Sequence, residues 1–217
     1  MSRSLAPSVV LALGLLAAAC GNDGPKALDP DLIRVTTDAK MRTDTVGEGV
    51  HAELSTFVLV DAENPTSQGA YVTLGGTLAD ATGRPVSELK PQSLWIPAGE
   101  RRTYALVDLE RKPRPEAVGA QVIVRSAMPS EYPPVAQITG LKTYPDDGKL
   151  VVQGRLENPT TRIGRIIVIA AFHDAEHRPM TRPFDVISLD AKRGVNLQFV
   201  GPKGAKYATI FIGDETY

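Results

Sequence analysis

Apolar residues along this chain come in short runs, many with a period of two, broken by turn residues about every ten positions. "STFVLVDA" at 55–62, "YVTLGGTL" at 71–78, "AVGAQVIVRSA" at 117–127, "LVVQGRL" at 150–156 and "AKYATIFIGD" at 205–214 are of this kind. In an extended segment successive side chains point to opposite faces, so these runs predict strands with at least one buried face. Between them, "QSLWIPAGERRTYALV" and "DVISLDAKRGVNLQFV" each predict a strand, a polar turn and another strand. Short strands at this spacing, joined by Gly-, Pro- and Asp-containing turns, predict an all-β fold of β-sandwich type.

One stretch occurs twice. Glu63-Asn64-Pro65-Thr66 returns as Glu157-Asn158-Pro159-Thr160, and laying one over the other pairs residues 63–85 with 157–179 without a gap. Asp80 then meets Asp174, Ala81 meets Ala175, Arg84 meets Arg178 and Pro85 meets Pro179. The apolar positions agree as well: Val72/Ile166, Leu74/Val168 and Leu78/Phe172 share one strand face with the small pair Gly76/Ala170. An Asn before Pro is held extended and closes a turn with its side chain, while Asp-x-x-x-Arg-Pro provides the next turn. Each copy therefore reads strand, Asn-Pro loop, strand, Asp turn, strand, and the chain is expected to carry two tandem modules.

This divides the sequence. Residues 32–127 are expected to form the first sandwich and 135–217 the second. Pro129, Pro133 and Pro134 stiffen the stretch 128–134 between them, so the modules should keep a preferred orientation. The Gly75-Gly76 pair inside a predicted strand reads as a bulge or a close backbone approach.

The N-terminus follows a different pattern. Arg3, an apolar run from Val9 to Leu16 and the triplet Ala17-Ala18-Ala19 precede Cys20, which predicts a signal peptide over 1–19. The run is shorter than the roughly 20 residues a membrane-spanning helix needs. Cys20 is the only cysteine in the chain. Small residues immediately before a single Cys resemble the bacterial lipobox, which implies that Cys20 carries a diacylglycerol and becomes the first residue after cleavage. Residues 20–31 are then expected to act as a short tether. Gly21, where an Asp would signal retention, resembles lipoproteins exported to the outer membrane of Gram-negative bacteria, with the periplasmic face as the expected location.

Each copy also resembles the bacterial Ig-like sandwiches of the FxLYD type and the small YcfL-like lipoprotein domains. The residues that carry this are Asn64 and Asn158, Leu78 and Phe172 in the leucine place, Asp80 and Asp174, and Ala98-Gly99 at a later turn. The leading Phe of the pattern is Gly76 or Ala170 here, and the Tyr before Asp is Ala79 or His173. The resemblance implies two tandem Ig-like antiparallel β-sandwiches and no particular activity.

Charge and chemistry narrow the function classes. With 24 Lys and Arg against 25 Asp and Glu and no basic run, nucleic acid is not an expected partner. His173-x-x-x-His177 with Asp174 and Glu176 is the one cluster of metal-ligating types, but it aligns with Ala79 and Gly83 at a strand-to-turn junction and reads as a solvated turn. Asp146-Asp147-Gly148 reads as a turn too. No metal, cofactor or catalytic activity is expected. The two copies differ on the outward face of the strand after the Asn-Pro loop. The first copy has Tyr71, Thr73, Gly75 and Thr77; the second has Arg165, Ile167, Ile169 and Ala171. A run such as "IIVIAAF" is expected where a strand is covered on both faces, which nominates Ile167 and Ile169 to meet the first module or a partner protein. The reading is a membrane-tethered, non-catalytic protein-binding or assembly module with an envelope protein as partner. The alternative is a module binding carbohydrate or another envelope polymer through Trp95, Tyr132 and Tyr144, although Trp95 also suits a sandwich core.

Overall fold

The computed structural model describes residues 26–36, 39–47 and 52–217. Cys20 and the expected signal peptide lie outside them. The described chain is all β, and every strand pairing in it is antiparallel. No helix among the described residues is long and apolar enough to cross a membrane.

The first copy contains β1 (Arg34–Val35), β2 (Lys40–Val46), β3 (Glu53–Glu63), β4 (Ala70–Ala79), β5 (Pro85–Ile96), β6 (Arg101–Val107) and β7 (Gly119–Pro129). One sheet has β3 at its centre, with β1 and β2 end to end along one edge and β6 along the other. The second sheet runs β5-β4-β7. Val58, Val60, Leu74, Leu78, Leu94, Ile96, Tyr104 and Leu106 fill the space between them and are essentially inaccessible to solvent. The Tyr104 hydroxyl donates to the Val72 carbonyl across that core at 2.8 Å. That bond satisfies the O–H, and burial pushes its pKa far above the usual tyrosine value.

The second copy repeats the scheme. It contains β8 (Gln137–Asp146), β9 (Lys149–Glu157), β10 (Gly164–His173), β11 (Pro179–Thr181), β12 (Phe184–Leu189), β13 (Gly194–Lys203) and β14 (Tyr207–Thr216). One sheet is β8-β9-β13; in the other, β11 and β12 flank one edge of β10 and β14 the other. The core here includes Val152, Leu156, Ile166, Val168, Phe172 and Phe199.

The two ENPT loops are built on one scheme. Asn64 is buried, and its Nδ2 donates to the carbonyls of Gln68 (2.7 Å) and Ile96 (3.1 Å). Its Oδ1 accepts from the Thr66 amide and hydroxyl. Asn158 repeats this with Arg162 (2.8 Å), Leu189 (3.1 Å) and the Thr160 amide and hydroxyl, adding Asp190 at 3.1 Å. Only a side chain with both amide donors and a carbonyl can do this, which explains the residue type. The Asp turns match likewise: Asp80 caps the Thr82 and Arg84 amides, and Asp174 those of Glu176 and Arg178.

Two boundaries and the placement of one side chain differ from the sequence reading. Leu28 donates its amide to the Ala127 carbonyl at 2.8 Å and packs against the first core, so part of the expected tether is docked on β7. An apolar Leu followed by the Asp29-capped turn Pro30–Leu32 favours that placement over free chain. At the other end β7 continues through Met128 to Pro129, into the expected spacer. Trp95 does not fill the core: Leu94 and Ile96 point inward, and the period of two turns Trp95 outward.

Candidate functional site

The candidate site is the junction between the two copies, and β10 creates it. Ile166, Val168, Ala170 and Phe172 face the second core, while Ile169 and Ala171 join the apolar cluster of the first copy, with Phe211 of β14 beside them. Ile169 is 2% exposed, and Ile167 is partly buried against the same cluster. These are the two residues nominated for partner contact; the first copy covers Ile169, and Ile167 lines a groove described below.

Polar groups cross the junction too. Asp61 lies on the face of β3 opposite Val60 and Ala62, fully buried. Thr103 of β6, its cross-strand partner, donates its hydroxyl to Asp61 Oδ1 at 2.6 Å. From the second copy, His173 brings Nε2 to 3.0 Å from Asp61 Oδ2 and 3.3 Å from Thr103 Oγ1. Arg101 reaches Asp61 at 3.9 Å from the solvent side. A proton relay needs the two imidazole nitrogens to face different partners. Here one nitrogen meets both, so the trio works as a polar strut between the copies.

Two cations are only partly satisfied at the same junction. Arg182, between β11 and β12, donates Nε to the Thr103 carbonyl at 2.6 Å, while its Nη2 is enclosed without an acceptor. Desolvation pulls the Arg182 pKa down to about 10. Arg102 holds Glu100 at 2.7 Å and lies 5.1 Å over the Phe211 ring, with its Nε enclosed and unpartnered.

Beside this strut a groove of about 600 Å³ separates the copies. Tyr71 and Trp95 form one wall, with ring centroids 5.2 Å apart, and Ile167, Ile169, Phe184 and Arg182 form the other. Asp214 and Glu215 of β14 also line it. Burial, then the charges of Glu215 and Asp214, raise the Tyr71 pKa. Glu215 is held by the Val135 amide (2.5 Å) and the Ala136 amide (2.9 Å), which fixes the end of the spacer to β14.

The remaining sequence candidates separate in space. His173 turns inward to Asp61, whereas His177 stacks on Tyr207 at 4.0 Å in the Asp174 turn. His177 holds φ 59° where the first copy has Gly83 at φ 82°. Among the described residues no group of three or more His, Cys, Asp or Glu side chains converges as a metal site. Tyr132 is 82% exposed, and its carbonyl accepts from the Tyr71 hydroxyl at 3.4 Å, so it borders the groove. Tyr144 lies elsewhere, on β8, accepting from Gln153. The sequence reading missed Asp61, Thr103 and Arg182. The available signal was departure from the repeat: Asp61 aligns with Arg155 and His173 with Ala79, a buried pair standing where the other copy has an exposed cation and a methyl.

No family model and no curated protein matches the chain. Among solved structures, red sea bream transglutaminase is similar at 12% identity with a TM-score of 0.24. The likeness covers 82% of this chain and 29% of that one.

Proposed function

We propose that the protein is a lipid-anchored envelope protein, held through Cys20 at the periplasmic face of an outer membrane, that serves as a non-catalytic protein-binding or assembly module. The anchor rests on the apolar run and small-residue triplet before the only cysteine of the chain. The module reading rests on one structural observation: β10 is buried on both faces, so its two copies share apolar contacts and act as a single tethered body. Such a body presents fixed surfaces and unpaired sheet edges to a partner.

The test is metabolic labelling with a clickable palmitate analogue, followed by membrane fractionation of wild type and Cys20→Ser. Label and membrane association are both expected to vanish in the variant. An unlabelled, freely soluble protein in both cases would overturn the anchor. Crosslinking in intact cells then tests the module, with a discrete adduct expected.

A second reading is favoured by the tilted Trp95–Tyr71 pair and the exposed Tyr132 beside it, a surface of the kind on which sugar rings stack. Glycan pull-down, compared with Trp95→Ala, separates carbohydrate binding from protein binding.

A further inference from the structure

We propose that the groove between the two copies is a binding site for a small organic carboxylate with an aromatic or aliphatic body, received by Arg182 and held by Trp95, Tyr71 and Phe184. This goes beyond the partner-binding reading and stands or falls separately from it.

Arg182 is left with donors unmatched. A guanidinium carries five N–H donors in a planar fork. Here Nε meets the Thr103 carbonyl and Nη2 is enclosed without an acceptor, which leaves Nη1 as the terminal nitrogen a ligand in the groove can reach. Enclosing a cation while its donors stay unmatched opposes folding unless something else gains from it. A ligand carboxylate would accept a charge-assisted hydrogen bond from Nη1 and offset the enclosed charge.

The shape and lining of the groove suit such a ligand. Its volume of about 600 Å³ falls within the range of small-molecule sites. Such sites pair apolar and aromatic walls with a few convergent polar groups. Trp95, Tyr71, Ile167, Ile169 and Phe184 supply the walls, and Arg182 the charge. Trp95 is further held by Gly69, where any Cβ would come within 2.3 Å of the indole, so the platform is positioned by a residue that has no side chain.

The strand register fixes the orientation. Asp214 pairs with Ile167 from the β14 side, whereas Phe184, two residues from Arg182, pairs with Ile169 from the β12 side. Two strand spacings separate those edges, about 10 Å. The acidic groups thus repel a ligand carboxylate from one side of the groove and Arg182 attracts it to the other. Glu215 is already committed to the Val135 and Ala136 amides, so it does not compete for Arg182.

Trp95 is the only tryptophan, which makes its fluorescence a reporter of the groove. Titration of the intact protein with N-acetylphenylalanine is expected to give a saturable change with a dissociation constant on the order of 1 mM, given the small size of the probe. The uncharged amide of the same compound should bind at least about tenfold more weakly, and Arg182→Gln should remove that preference. Phe184→Ala alters an exposed wall and should weaken the acid severalfold with the fold intact. It also decides the matter if Arg182→Gln does not fold. Equal binding of acid and amide, no saturable response, or a folded Arg182→Gln that keeps the preference would each overturn the site. Loss of a protein partner in cells with these titrations unchanged would count against the module reading alone.

Discussion

Residues 75 and 169 hold the same place in the two copies, and one is Gly and the other Ile. Around them β4 and β10 carry apolar or small residues at matching inward places, with a buried Asn before and an Asp turn after. The outward faces differ. β4 shows Tyr71, Thr73 and Thr77 at least partly to solvent, while β10 buries Ile169 and Ala171 against the first copy. The comparison teaches that a duplicated sandwich becomes one body when one face of one strand changes from polar to apolar. The inner face makes the fold, and the outer face makes the assembly.

The sharpest way to break the comparison is to charge that face. Ile169→Asp places an unpaired carboxylate among apolar side chains and is expected to destabilise by more than about 4 kcal/mol, with the two copies unfolding in separate steps. Gly75→Ser at the matching place should be mild, because a Cβ there meets only the side chain of Arg125, which can move. A single cooperative calorimetric transition in folded Ile169→Asp would contradict the role given to β10.

The Asn latches should respond alike. Asn64→Ala and Asn158→Ala each orphan buried carbonyls, and about 3 kcal/mol is expected from each in urea unfolding. Asn158 is expected at the upper end, since it serves three carbonyls rather than two. A large effect in one copy and none in the other would break the equivalence.

Asp108 sharpens the difference, for the aligned residue in the second copy is Pro202. Fully buried, it accepts from Arg114 at 2.9 Å, from the amides of Glu110 and Lys112, and from the Ser87 hydroxyl. Burial alone would raise its pKa, but the bonds from Arg114, Ser87 and Lys112 outweigh this and lower it. A depressed folded pKa means stability that is fully present above the unfolded value of about 4 and is lost as pH falls through the folded value. Asp108→Asn is expected to cost about 2–3 kcal/mol at pH 7 and to flatten the acid limb of the stability profile below about pH 4. An acid limb unchanged in the variant would rule out this origin.

Gly76 and Ala170 form another matched pair. A Cβ at Gly76 would fall 2.0 Å from the Gln121 carbonyl oxygen, beside the place where β4 shifts register against β5. Gly76→Ala is expected to cost about 1–3 kcal/mol, against about 1 kcal/mol for Ala170→Gly, measured by thermal unfolding. The smallest effects belong to Asp80→Ala and Asp174→Ala at exposed turns, and they should be equal.

Much of this molecule was determined by the sequence by itself. The period of two specified strands because every second residue must leave water, and the ENPT and Asp-x-x-x-Arg-Pro stretches specified their turns because a few local hydrogen bonds suffice. The apolar run of β10 marked a strand covered on both faces, since no single core can absorb alternate residues that are all apolar. Only the tertiary structure decided what covers it. Contact between residues as distant in sequence as Asp61 and His173 has no period and no motif. It depends on how two finished sandwiches meet, and that in turn decided that Arg182 is enclosed beside a groove, with Trp95 facing outward into it.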